Sequence, residues 1–138
     1  MKTVLVDTGP LYALADKKDS WHARVVAFLK SVAPRLIVPI TVLPEACYLT
    51  AKFLGSEAEI ELADSIRRGE VAVETLTKPD WSRTLEVMRN YADVELGFVD
   101  ASLVAVAERL RIRDILTVDR RHFSLVRPRH CRSFTLHP

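Results

Sequence analysis

The chain has 138 residues, of which 49% are apolar and 28% charged, and its formal net charge is +2. One domain over residues 1–138, with a core of its own, is expected, and the apolar share excludes disorder. No apolar run approaches a bilayer span and no leader-like segment precedes the first strand, so a soluble cytoplasmic protein with no membrane contact is expected.

In chain order, Thr3-Val4-Leu5-Val6 is a β-branched and aliphatic run of the kind that forms a strand buried on both faces. It stops at Asp7. Thr8-Gly9-Pro10 then opens a helix, with Thr8 or Gly9 as cap and Pro10 at the first helical position. After a polar break at residues 17–19, Trp21, Val25, Val26, Phe28, Leu29 and Val32 fall three and four apart, predicting an amphipathic helix that Pro34 ends. Leu36-Ile37-Val38 is a second strand, closed by Pro39. Thr41 is placed to cap the next helix, which tolerates Pro44 in its first turn, carries Glu45 and Cys47, and stops at Gly55. Ser56 and Glu59 match a capping box for a helix that Gly69 ends.

Val71-Ala72-Val73 reads as a third strand, and residues 79–91 as a helix with Trp81, Leu85 and Met88 along one side. Gly97 precedes a helix to about Leu110 that is apolar nearly all round, the pattern of a helix packed between layers, with Asp100 in its first turn. Ile115-Leu116-Thr117-Val118 is a fourth strand ending at Asp119, and residues 132–136 read as an edge strand. Strands alternating with helices predict right-handed βαβ crossovers, hence an α/β fold with a short, mostly parallel central sheet covered by helices on both faces.

Charge is unevenly spread. From Arg109 onward, eight Arg less Asp114 and Asp119 give +6, which leaves −4 for the rest of the chain. A basic segment on a near-neutral protein points to a polyanionic partner. Arg120, Arg121 and His122 follow Asp119 directly and are candidate phosphate contacts, and Arg127 and Arg129 are expected to rim the same cleft. Cys47 and Cys131 show no C-x-x-C spacing and form no disulfide framework; Cys47 is expected to pack in the core.

Four carboxylates fall at comparable places. Asp7 and Asp119 follow buried strands, while Glu45 and Asp100 lie in the first turns of helices leaving the sheet. In open α/β sheets ligands bind at the carboxyl ends of the strands, so the four are expected to line one cleft. Two carboxylates about 5 Å apart repel by roughly 3 kcal/mol at an effective dielectric near 20. Several such pairs need protonation or a cation. Oxygen ligands, with no His or Cys expected close by, point to Mg²⁺ or Mn²⁺ rather than zinc. Thr8 and Thr117 stand beside two of the acids and could orient them. Mg²⁺ held by carboxylates serves phosphoryl chemistry, and with no Gly-rich phosphate loop, hydrolysis of a nucleic-acid backbone fits best. Asp93 and Glu95 could reach the cleft edge. No Ser-His-Asp or Cys-His arrangement is present, and His22, His130 and His137 have no partner at ligand spacing.

The segments VDTGPLYALAD, TVLPEACYL, LGFVDASLVAVAERL and ILTVDRRHF, in this order and spacing, resemble those of PIN-domain ribonucleases of the kind found as VapC toxins in toxin–antitoxin pairs. The resemblance covers essentially the whole chain. It implies a three-layer α/β/α sandwich and a Mg²⁺- or Mn²⁺-dependent endoribonuclease, usually a homodimer, with an antitoxin partner. It further implies that Asp7 and Asp100 are the main metal ligands and that Glu45 and Asp119 complete an acidic quartet. Trp21, Tyr48, Phe53 and Trp81 are then expected in the core or at a dimer interface. Three rivals are a PIN-domain nuclease of RNA processing without an antitoxin, a phosphatase using Asp7 as nucleophile, and a non-catalytic RNA-binding module. The second usually needs an acid two residues after the nucleophile, where this chain has Gly9.

Overall fold

A computed structural model describes residues 1–138. Five strands form one sheet: β1 (Thr3–Val6), β2 (Arg35–Pro39), β3 (Ala72–Glu74), β4 (Asp114–Leu116) and β5 (Thr135–His137). Their order is β3-β2-β1-β4-β5, and every neighbouring pair is parallel. The helices are α1 (Thr8–Ala15), α2 (His22–Val32), α3 (Val42–Leu54), α4 (Ser56–Arg67), α5 (Lys78–Asn90), α6 (Phe98–Leu110) and α7 (Arg120–Leu125).

Alternation along the strands sorts the core into two halves. Val4, Val6, Val38 and Leu116 point to the side covered by α1 to α4, where they meet Leu11, Val25, Val42 and Leu62. Leu5, Ile37 and Ile115 point to the other side, against Val87 of α5, Ala101 and Val104 of α6, and Phe123 of α7. The result is the three-layer α/β/α sandwich with a parallel sheet. Ala101 to Ala107 are all buried, as the all-round apolar pattern of α6 requires of a helix held between the sheet and α5. No helix is long and apolar enough to cross a membrane.

Strand order reverses between β1 and β4, so a crevice opens at their carboxyl ends. Val6 pairs with Leu116, and the Asp7 N–H donates to the Leu116 carbonyl at 3.0 Å. This register brings the segments after both strands together.

Several local expectations need correction. Helix α1 starts at Thr8, and its cap is Asp7, whose side chain accepts the Thr8 N–H; Pro10 is the third helical residue rather than the first. Thr41 makes no side-chain cap bond; its hydroxyl lies 2.6 Å from that of Ser102. Ser56 and Glu59 form no capping box, because Gly55 turns the chain with φ +97° and is itself the cap. The capping box forms instead at Thr77 and Asp80. Strand β4 ends at Leu116, and a six-residue helix, α7, follows Asp119 where the sequence shows no helical period. Trp81 is 50% exposed and Leu85 is exposed as well, because Asp80, Thr84 and Val87 turn inward instead, while Met88 packs partly buried against the core. Tyr48 and Phe53 are also exposed, so the core reading of these aromatics fails, whereas Trp21 and Cys47 are half-buried against the core.

Candidate active site

Each acid reaches the crevice by a different local device. Asp7 leaves β1 and turns back onto the first N–H of α1, accepting Thr8 N–H at 2.8 Å and the Thr117 hydroxyl at 2.9 Å. Glu45 is brought to the cleft by the first turn of α3, where it stays exposed, and half-buried Asp100 by the first turn of α6. Asp119 caps α7, and its own N–H donates to Thr117 Oγ1 at 2.9 Å. One threonine hydroxyl thus ties two of the acids together. Gly9 lies against the chain after β4, where a Cβ would overlap Val118 Cγ2; only glycine lets these segments meet so closely.

Asp7, Thr8, Glu45, Asp100 and Asp119 line one cleft of about 440 Å³, together with Gly9, Leu49 and the segment 97–99. Burial pushes the Asp7 carboxyl up, with Glu45 and Asp119 adding to the shift against its two hydrogen bonds. Burial likewise drives Asp100, raised further by Asp7, Asp119 and Glu45, to about 7. Asp100 and Glu45 accept no hydrogen bond from the protein; Asp7 and Asp119 are held.

The expectation that no His lies close to the acids is overturned by His122. Its Nδ1 lies 2.8 Å from Asp119 Oδ2 and 3.7 Å from Asp100 Oδ2, and ligand atoms of the three residues fall within 4.8 Å of one another. The hydrogen bond to Asp119 raises the imidazole's affinity for a proton, against partial burial. Arg120 and Arg121 are exposed directly after Asp119, and their guanidinium groups make no hydrogen bond or ion pair. Arg129 is not on this rim: it binds Glu86 at 2.7 Å and lines a separate groove with Arg83 and Glu108. The Arg127 guanidinium donates to the Ser124 carbonyl. Asp93 and Glu95 are exposed and do not line the cleft.

The residues present fit a divalent cation. Four mutually repelling acids surround one space, and Thr8 Oγ1, in a residue only 6% exposed, has no hydrogen-bond partner although the residue lines that space. A buried hydroxyl without a partner beside unheld carboxylates is a set of oxygen donors that suits a divalent ion.

The pattern that defines the PIN domain matches residues 4–127. The chain belongs to the PIN-domain family. Over 135 residues, which are 98% of this chain and 100% of the relative, it is 33% identical to the ribonuclease VapC26 of Mycobacterium tuberculosis. Among solved structures it resembles VapC20 of M. tuberculosis, described as a sarcin–ricin-loop-cleaving toxin, with TM-score 0.74 and 26% identity over 81% of this chain and 86% of that one. A toxin–antitoxin complex from Klebsiella pneumoniae shares the fold, with TM-score 0.67 and 16% identity, covering 89% and 92% of the two chains. The PIN-domain protein described here is thus a homologue of VapC ribonuclease toxins and a member of a nuclease family.

Proposed function

We propose that this chain is a Mg²⁺- or Mn²⁺-dependent endoribonuclease that hydrolyses RNA phosphodiester bonds, acting as the toxin of a toxin–antitoxin pair. The observation that carries the reading is Asp100, driven to about 7 by burial and three neighbouring acids, in a cleft whose Thr8 hydroxyl lacks a partner. A fold keeps such an arrangement at a cost in stability, and the cost is relieved when a cation binds.

In this reading Asp7 and Asp100 hold the metal, and Glu45 and Asp119 complete its surroundings. The bound cation supplies charge for the phosphate oxygens, activation of the attacking water and stabilisation of the leaving oxygen. Thr117 keeps Asp7 turned inward and links it to Asp119. Thr8 offers its free hydroxyl to water or substrate. Glu45, unheld by any donor, takes the proton from the attacking water in this reading. Hydrolysis forms one P–O bond to that water and breaks another, the leaving oxygen taking a proton. Arg120 and Arg121 offset an otherwise repulsive acidic mouth by meeting RNA phosphates.

The phosphatase alternative needs an acid at position 9, where even a Cβ is too large. A binding module would need no acidic cluster. An antitoxin partner is proposed because one similar structure is described as a toxin and another as a toxin–antitoxin complex. A second copy of the chain is proposed against the exposed aromatics Tyr48, Phe53 and Trp81. The reaction is placed in the cytoplasm, where its RNA would be.

The test is cleavage of structured RNA by purified protein with Mn²⁺ or Mg²⁺, in EDTA, and by Asp100→Asn. Losing a ligand to the metal removes several kcal/mol of transition-state stabilisation, so cleavage should fall by about 100-fold or more. The circular dichroism spectrum should stay native. Equal cleavage in EDTA or by the variant would sink the proposal.

A further inference from the structure

The short helix α7 is anchored by Phe123, 1% exposed and packed edge-on against Phe134 at 6.4 Å between ring centroids. That anchor fixes the preceding residue. His122, three positions after the cap Asp119, swings its ring back over the cap: its N–H reaches Asp119 Oδ1 at 3.4 Å and its Nδ1 reaches Oδ2 at 2.8 Å. A carboxylate only accepts, so Nδ1 carries the proton in this contact. A nitrogen that donates a proton to a carboxylate has no lone pair left for a metal.

The four acids therefore fall into two kinds. Asp7 is held at both oxygens, by Thr8 N–H and by the Thr117 hydroxyl, and Asp119 at both, by the backbone and the ring of His122. Asp100 and Glu45 are left free to close on an ion. Two fixed acids flanking two adaptable ones make a site partly shaped before the ion arrives, and His122 is what fixes the second. We infer that His122 is a positioning residue for the metal centre, acting through Asp119 by way of its Nδ1–H, rather than a metal ligand or a phosphate contact. The inference rests on the metal-dependent reading above.

The consequence is a metal affinity that depends on a donor at the δ position of residue 122. Groups that orient a metal-binding carboxylate or imidazole from behind typically contribute about 10- to 100-fold in affinity. Asn at this position carries its amide nitrogen close to where His carries Nδ1, while Gln carries a polar atom closer to Nε2. The two substitutions thus separate positioning from ligation.

The experiment is Mn²⁺ titration followed by electron paramagnetic resonance, on wild type, His122→Ala, His122→Asn, His122→Gln and Asp100→Asn, with circular dichroism to confirm the fold. The expected result is that Ala weakens Mn²⁺ binding about 10- to 100-fold, Asn recovers most of the loss, and Gln does not. Recovery by Gln but not Asn would overturn the inference and make Nε2 the ligand. Unchanged binding in Ala, with binding lost in Asp100→Asn, would overturn it alone and leave the metal reading standing. Wild type that binds no Mn²⁺ would overturn both.

Discussion

Helix α6 carries an acid near each end, and the two are treated in opposite ways. Asp100, in the first turn, is pushed to about 7 by burial and then by Asp7, Asp119 and Glu45. Glu108, in the last turn, is also pushed up by burial, yet Arg83 and the Arg129 N–H together hold it below the usual range. The helix dipole alone predicts the reverse, since its amino end favours an anion and its carboxyl end opposes one, by roughly 0.3–1 kcal/mol each. Neighbours outweigh the dipole at both ends. Asp80, only 3% exposed, follows the Glu108 pattern: it closes a capping box with Thr77 and receives Arg109 at 2.9 Å. Where this fold needs an acid for stability it supplies a cation. At the crevice it gathers acids instead, with His122 as the side chain that partly offsets them, and the repulsion that remains is what the proposed cation would relieve.

Removing the partner from the satisfied end should have the largest effect on stability. Arg83 contacts Glu108 through Nε at 2.7 Å and Nη2 at 3.0 Å, with side chains 14% and 10% exposed. Arg83→Met leaves that carboxylate buried with the Arg129 N–H as its remaining donor, which should cost about 3 kcal/mol in urea unfolding. Arg83→Met with Glu108→Met should recover much of the loss. If the single variant unfolds within about 0.5 kcal/mol of wild type, as ordinary surface changes do, the pair is not structural and the contrast collapses.

The opposite sign is expected at the other end. An acid whose folded value is raised above its unfolded one contributes full stability below the unfolded pKa and loses it as pH rises through the folded pKa. For Asp100 that window runs from 3.8 to about 7. Without metal the melting temperature should therefore fall as pH rises from 4 towards 7, a penalty of roughly 4 kcal/mol at most if Asp100 is ionised. Asp100→Asn should flatten the profile and melt higher than wild type at pH 7, by about 2 kcal/mol once its acidic neighbours relax into the space. Mn²⁺ should restore wild type and leave the variant nearly unmoved. A variant melting lower in metal-free buffer would make Asp100 a helix cap and nothing more.

How much of this is legible in the residues alone follows the same divide. Buried strands and the all-round apolar α6 are strong local signals, so the acids at their boundaries, Asp7 and Asp100, can be placed on one edge without coordinates. Glu45 follows from Pro44, which pins the first turn of α3. His122 escapes notice as a neighbour of the acids because RRHFSL is too short to show a helical period, and its closeness to Asp100 is made by folding. On α5 the apolar spacing of Trp81, Leu85 and Met88 marks a face of which only Met88 reaches the core. The inward residues Asp80 and Thr84 are polar, and their partners, Arg109 and the helix's own backbone, are invisible to periodicity. The capping boxes show the same limit: Ser56-x-x-Glu59 and Thr77-x-x-Asp80 look alike, but only the second has its Thr extended at the cap, while the first follows the φ +97° turn at Gly55.

The cations divide as the acids do, and the smallest predicted effect tests that side. Arg83, Arg109 and Arg129 each hold a carboxylate, so they are committed to the fold. Arg120 and Arg121 hold none, and they stand on the first turn of α7, directly after Asp119. An acidic mouth repels RNA, and two uncommitted guanidinium groups at its edge offset that repulsion by displacing counterions from phosphates. In an Asp100→Asn background, where binding is read without cleavage, Arg120→Gln with Arg121→Gln should weaken single-stranded RNA binding. The slope of log K against log salt should flatten by roughly 0.7 for each phosphate that the variant no longer neutralises. Mn²⁺ affinity measured in the unmutated background should stay the same, because these side chains are donors and sit outside the cluster. Arg129→Gln is the control: it removes one of the two cations that hold Glu86, leaving Arg83, and should lower stability by a few tenths of a kcal/mol, as an exposed pair does, without touching the slope. An unchanged slope in the double variant, or an equal change in the control, would place the RNA path elsewhere on the surface.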